Sequence, residues 1–424
     1  MNKWKVSLAA LAAAMLAAGG AGAAGIFPGF PQTGSGGTAP QVPGASYLVP
    51  MDTNLPNGQI PQTVLVPLSG MGGNYGGTPR NFLGNGSLDL TQVNGTSTVT
   101  CAVNAGLTAA ALSADRWGCQ ANVAVGAGRT AIVTSSPSPP AGFTNVMKVF
   151  RTSGALTQPV CVMQEVPSNL SLSLAGNTVT FSFWAAALAG LSADNGNIIN
   201  AVVITGTGTD EKLTVSPTAS PAITPAWTGI ATQLNQAINV TTTFARFNVS
   251  ASIPSTATEI GVMLCFTPTA TGAGATDGFA WTGAQLELGA APSAYEFQPK
   301  SAALADSQKY TFAVSEVSAA TGGAHAMCMS TTTTNNNCYL QFPTQMYLAP
   351  TMTYTAGFAG CTQAACTTLT ACSALGAAGG TGPPTATVPL VNGVFIACTT
   401  TAVVGSNVLL DNGGSGKIVA WAGL

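Results

Sequence analysis

The sequence predicts an all-β protein: a jelly-roll β-sandwich, preceded by an extended N-terminal arm and followed by a smaller β-rich C-terminal module. Three observations predict it. Between residues 81 and 300, apolar side chains recur at every second position, as along a strand with one buried face. Before residue 80, prolines are too frequent for long helices or central strands. From Val317 to Leu410 there is no Asp, Glu, Lys or Arg, and the Thr-rich composition favours strands over helices.

Residues 1–24 read as a signal-like or anchor segment. Lys3 and Lys5 precede an uncharged Ala/Leu run from Val6 to Ala18, and Ala21-Gly22-Ala23 has the form of a cleavage site. A cleaved secretory signal and a retained anchor helix fit the pattern equally. Residues 25–80 form a Pro/Gly-rich arm with nine prolines and only two charged residues, Asp52 and Arg80. Extended, polyproline-like chain is the expected conformation. Its short apolar runs, Tyr47-Leu48-Val49 and Val64-Leu65-Val66, suit docking on another subunit's sheet edge; a plain flexible tether is the other reading.

Residues 81–300 carry the predicted strands. Val179, Phe181 and Phe183 alternate with Thr178, Thr180 and Ser182. Phe247, Val249, Ala251 and Ile253 repeat the pattern, as do Ile260, Val262, Leu264 and Phe266, and Leu286 and Leu288 bracket Glu287. This stretch is long enough to bury one sandwich core. Residues 301–424 form the C-terminal module, with Tyr339, Phe342, Tyr347, Tyr354, Phe358 and Phe395 marking its strands. A surface so poor in charge self-associates readily. Packing against sister copies would cover both its apolar area and its sheet edges, and a homotrimer meets that need.

Charge and titratable groups exclude several functions. The chain has 12 basic and 14 acidic residues in 424, a net charge of -2, and no basic cluster. Nucleic-acid binding is therefore not expected, since nothing displaces counterions from phosphates. The one histidine, His325, lies in Thr321-Gly-Gly-Ala-His-Ala-Met-Cys328 with no acid beside it, and reads as a surface or strand-end residue. No nucleotide-binding, zinc-protease or nucleophile-elbow motif is present. No catalytic residue and no cofactor are expected.

An ordered series of segments carries a family resemblance. It begins Asn81-Phe-Leu-Gly-Asn-Gly-Ser-Leu-Asp89 and continues through Ala114-Asp-Arg-Trp117, Met147-Lys-Val-Phe-Arg-Thr152 and Val162-Met-Gln-Glu-Val166. It runs on through Ser173 to Ala185, Ala284-Gln-Leu-Glu-Leu-Gly289 and Ser293-Ala-Tyr-Glu-Phe-Gln-Pro299. In this order the segments resemble the carbohydrate-binding-module-like jelly roll of bacteriophage tail-fibre and related virion proteins. Ala305-Asp-Ser-Gln-Lys-Tyr310 is similar to the Cys-containing segment that follows in those proteins, with Ser307 at the cysteine's place. Phe342 to Met346, Ala349 to Thr353 and the ending Lys417 to Leu424 extend the likeness.

The resemblance implies a structural fibre or spike subunit of a tailed phage. Its partners would be other virion proteins (a head or tail connector) bound through residues 25–80, and a host cell-surface polysaccharide. The alternatives are a secreted or surface-anchored bacterial adhesin and, third, a glycan depolymerase. Related sugar-binding jelly rolls often hold structural calcium. Asp89 and Asp277 are the acids at hand, but Phe279-Ala-Trp-Thr-Gly283 has no carboxylate pair, so no metal is expected. Trp117 and Trp184 read as core residues. Trp227, in the loop-like Pro221 to Thr228, and Trp281 are the candidate ligand-binding residues. A retained sugar site and a purely architectural role both remain open for the module.

Ten cysteines complete the inventory. Cys161 and Cys265 lie in strand patterns and are expected to be buried free thiols. Cys328 with Cys338, and two pairs among Cys361, Cys366, Cys372 and Cys398, are the candidate disulfides, with three connectivities open for the last four. Their spacing does not suit zinc.

Overall fold

A computed structural model describes residues 46–49, 64–67 and most of 80–423. Within the last stretch it leaves out 104–110, 122–127, 136, 152–156, 158, 192–196, 214, 218–222, 226, 270–276, 316–323, 331–334, 355–357, 363–369, 372–388, 400–405 and 412–416. The signal-like segment 1–24, Cys366 and Cys372 lie outside the described residues. The chain divides into two compact units, Met1–Pro79 and Arg80–Leu424.

In the first unit, the two apolar runs of the arm pair with each other. Strand Ser46–Val49 runs antiparallel to Val64–Pro67, with Leu48 opposite Leu65.

The second unit is built on two stacked antiparallel sheets, as the alternation predicts. One has the strand order Ala245–Ser252, Thr178–Ala187, Gly278–Leu288, Val146–Arg151, Gly128–Val133, Val99–Thr100. The other runs Ala231–Asn239, Ile198–Gly206, Glu259–Phe266, Val160–Val166, Trp117–Ala121, Ala102–Val103, with Leu112–Ala114 beside Trp117–Ala121. Every pairing is antiparallel except that of Ala102–Val103 with Trp117–Ala121. Val179, Phe181 and Phe183 face Ile260, Val262, Leu264 and Phe266 across the sandwich, in one apolar core. Trp117 and Trp281 meet at its centre, their ring centroids 4.5 Å apart. Leu288, the last residue of its strand, falls outside the core and is 48% exposed.

The seven-stranded sheet is buried on its second face too. Met163, Val202, Ile204, Met263 and the cysteines of that face are covered by Leu213 and Trp227 from the chain between strands Ile198–Gly206 and Ala231–Asn239. Alternation alone shows one apolar face per strand, yet Glu259–Phe266 is buried at every residue. Carboxylates pin this covering segment. Glu165 accepts the Leu213 N–H at 2.8 Å, Glu259 accepts the Glu211 N–H at 2.6 Å, and Asp210 accepts the Ser168 N–H at 3.1 Å.

Among the described residues, two short helices interrupt the strands, Ser168–Leu174 and Lys300–Ser307, each entered from a proline. The second leads into a three-stranded sheet, Thr311–Ser315, Lys417–Trp421, Thr351–Tyr354, and a further seven-stranded sheet between Ala324 and Asp411. Ser307 donates to Asp115 at 2.9 Å, and Gln92 reaches both Asp115 and the Thr311 carbonyl, so the C-terminal strands are tied to the sandwich. Trp421 packs on Val93 and Leu112 from the same side. The Arg116 guanidinium lies 3.6 Å from the centre of the Tyr310 ring. His325 occupies a register irregularity near the start of strand Ala324–Ser330.

The cysteine expectations need correction. Cys161 and Cys265 are not free thiols: they face each other on adjacent strands and form a disulfide. Their strand patterns are those of buried residues, as read, but burial on neighbouring strands at the same register is also what a bridge requires. Cys101 and Cys119 form a second one.

Candidate functional site

The sequence's two candidate tryptophans are interior residues. Trp281 is fully buried against Trp117, and Trp227 is 4% exposed, its indole N–H donating to the Glu211 carbonyl at 2.8 Å. Neither presents a ring face to solvent. Trp227 lies in a loop by sequence, but that loop folds back as the lid of a second hydrophobic cluster. Trp184 is corrected in the opposite direction. Phe181 and Phe183 point into the core, so their neighbour Trp184 stands on the outer face of the sheet, half-buried.

Trp184 belongs to a ledge of four rings on that outer face. Phe143, from the turn before strand Val146–Arg151, sits in the middle. Its ring centre is 5.0 Å from Trp184, 5.0 Å from Tyr295 and 5.2 Å from Phe297. Tyr295 and Phe297 come from the chain that leaves strand Gly278–Leu288, and their rings meet edge-on at 4.8 Å. Phe297 is 56% exposed, the largest opening on the ledge.

A local irregularity makes room for these rings. Ser182 lies opposite Gln285 but Trp184 lies opposite Thr282, so strand Gly278–Leu288 carries one extra residue between them. Gly283 takes the bulge with φ +65°, and a Cβ there would come within 2.6 Å of both Phe143 and Trp184. Only glycine lets the two rings close over the backbone at this point.

Polar groups hold the ledge from below. Asp89 accepts from Ser87 at 2.8 Å, Thr144 at 2.8 Å and Asn145 at 2.9 Å, which fixes the turn that carries Phe143. Glu287 accepts the Ser293 N–H at 2.9 Å and the Gln285 amide at 2.8 Å, and Gln285 in turn accepts the Glu296 N–H at 2.8 Å. These contacts position the segment bearing Tyr295 and Phe297. Burial pushes the Tyr295 hydroxyl well above its usual range, against the opposing effect of a hydrogen bond with Ser87. A cleft of about 20 Å³, room for one water, opens beside it among Asn81, Ser87, Asp89 and Lys300.

At the other end of the ledge, Arg246 lies over Trp184, its guanidinium carbon 4.7 Å from the ring centre. It donates to the Ser182 hydroxyl at 3.0 Å. Chemically the ledge offers what a sugar ring needs: an apolar ring surface for its C–H face and flanking polar groups for its hydroxyls. Tyr295 and Phe297 were within the sequence segments that carry the resemblance, and the parity of Trp184 was readable. Phe143 carried no local signal.

The calcium candidates do not fit a cation. Asp277 is engaged by Arg151 at 2.9 Å with both side chains buried, and Asp89 is committed to three protein donors. Among the described residues no group of three or more metal-ligating side chains converges. A wider recess of about 490 Å³ among the C-terminal strands is lined by Phe312, Val314, Leu340, Phe342, Pro343 and two glutamines, none ionisable.

No protein family's profile matches the chain, and no curated protein does. Among solved structures, the enzymatically active domain of bacteriophage CBA120 tailspike protein 4 is 11% identical, over 49% of this chain and 21% of that one, with a TM-score of 0.30. This chain thus spans about a fifth of the tailspike domain's length. The carbohydrate-binding module TmCBM61, solved with β-1,4-galactotriose, is 11% identical over 50% of this chain and all of that one, with a TM-score of 0.27. A xylan-binding domain of family CBM 22 is 13% identical over 42% and 90%, with a TM-score of 0.26. At these scores the likenesses bear on neither ligand nor assembly.

Proposed function

We propose that the chain is a fibre or spike subunit of a tailed bacteriophage virion that adheres to host-surface glycan and does not cleave it. The adhesive part rests on one observation: the four-ring ledge on the outer sheet face, with Phe297 open to solvent and hydrogen-bonding groups around it. The virion part is supported by the ordered segments from Asn81 to Pro299 and by the arm at residues 25–80, which would bind the connector. Three copies packed through the charge-poor C-terminal modules would multiply a weak sugar affinity by orders of magnitude.

Adhesion is tested by affinity electrophoresis through host polysaccharide. Retardation of the wild-type protein, weakened by Phe297→Ala at an unchanged melting temperature, supports the ledge. No retardation in any host polysaccharide overturns it. A depolymerase reading needs two carboxylates flanking a groove, and shortened glycan in the same incubation would revive it. The signal-like residues 1–24 favour the bacterial adhesin as a second reading. Mass analysis of the mature N-terminus, with localisation in particles or in culture medium, separates the two.

A further inference from the structure

The ledge gathers charges of both signs, in a chain that has only 12 basic residues. Two of them, Arg80 and Arg246, stand close enough to repel each other. Arg80 is exposed and donates to the Ala294 carbonyl at 2.9 Å, next to Tyr295. Arg246 lies over Trp184 and reaches Ser182, while its buried Nε has no hydrogen-bond partner among the described residues. Glu287 attracts Arg246, and Asp89 and Glu296 lie by Tyr295, each accepting hydrogen bonds from the protein. The Glu287 carboxylate is buried and already accepts from Ser293 and Gln285.

Arg80 is exposed and Arg246 half-buried with its Nε enclosed, so their terminal guanidinium nitrogens stand beside rings able to stack a sugar. A planar guanidinium beside an aromatic ring can grip an anionic oxygen pair through its fork of N–H donors. We infer that the ledge selects acidic polysaccharide, with a sugar ring stacked at Phe297 and Trp184 and its anionic substituent bound by Arg246 and Arg80. The inference rests on the glycan-adhesion reading and adds the ligand's charge class. Carboxylates of uronic acids and sulfate esters share the required chemistry.

The test compares polygalacturonate, dextran sulfate and a neutral galactan as ligands of the full chain in affinity electrophoresis and titration calorimetry. At low salt, at least one acidic polymer should bind about tenfold more tightly than the galactan, the scale of one charge-assisted hydrogen bond. The preference should shrink as salt is raised. Arg246→Gln should bring the acidic polymer to the level of the neutral one, with Arg246→Lys intermediate. Which acidic polymer is held identifies the anionic group. Equal binding of acidic and neutral polymers overturns this inference and leaves the adhesion reading standing. Binding of none of the three at any salt, together with no retention by host polysaccharide, overturns both. A preference that survives Arg246→Gln, in a variant that melts like the wild type, also overturns the inference.

Discussion

Arg151 and Asp277 form an ion pair 2.9 Å long in which neither side chain is exposed. They join the end of strand Val146–Arg151 to the start of strand Gly278–Leu288, whose backbones are also linked by the Arg151 N–H to the Asp277 carbonyl at 3.2 Å. Removing one member leaves the other charge in the interior without its ionic partner. Asp277→Ala should cost about 3–5 kcal/mol, whereas a double replacement with apolar residues should cost much less. Denaturant unfolding of both variants checks the difference. Similar losses in the two would show that the pair does not act as a unit.

The two disulfides should differ in worth. Cys161–Cys265 closes a sequence separation of 104 residues, Cys101–Cys119 one of 18. On the chain-entropy account, loss of the longer bridge costs about 4.7 kcal/mol and loss of the shorter about 3 kcal/mol. Serine replacements at each pair, compared by urea midpoint, should rank in that order.

The C-terminal sheet narrows the pairing of the remaining cysteines. Cys328 and Cys338 sit directly opposite each other on strands Ala324–Ser330 and Asn335–Gln341, so a bond between them is expected. Cys361 and Cys398 cannot pair. Their strands are separated by three others in the sheet order, roughly 19 Å at the usual strand spacing. Non-reducing peptide mapping should find the 328–338 link and no peptide joining 361 to 398.

Gly283→Ala should damage the ledge more than the fold. The substitution is strained at φ +65° and presses a methyl group into Phe143 and Trp184. A cost of about 1–3 kcal/mol is expected from overpacking. Near-ultraviolet circular dichroism should change with the Trp184 environment, and glycan retention should fall. An unchanged aromatic spectrum would mean that the rings do not close over this residue.

Stability should fall as pH rises above the ordinary carboxylate range. Burial raises the Glu165 carboxyl well above 4.5, against the pull of the Arg116 charge and the Leu213 N–H, and with Glu259 and Asp210 adding repulsion. Burial likewise raises Glu259 and Asp115. A raised carboxyl binds its proton more tightly folded than unfolded. Its contribution is complete below 4.5 and disappears as pH climbs through the raised value. Glu211, lowered by hydrogen bonds from Thr228, works the other way and contributes above 4.5. Glu165→Gln keeps an acceptor for Leu213 and should flatten the fall in melting temperature as pH rises above the ordinary carboxylate range. An unaltered profile in that variant would refute the assignment.

The all-β sandwich was determined by the sequence itself, because alternation is a local property. Val179, Phe181, Phe183 and Ile260 to Phe266 specify one buried face whatever they pack against, and they do form the core. Parity likewise put Trp184 opposite Phe183, although its size alone suggested the interior. Only the tertiary structure decided which surfaces are then covered. Trp227 is buried by a loop that three carboxylates pull onto the sheet, and Cys161 meets Cys265 because two strands distant in sequence lie in register. The ledge itself brings together residues 143, 184, 246, 295 and 297 over a glycine bulge. Such meetings depend on strand order and on bulge position, which are settled by the packing of the whole sandwich and leave no periodic mark on any one segment.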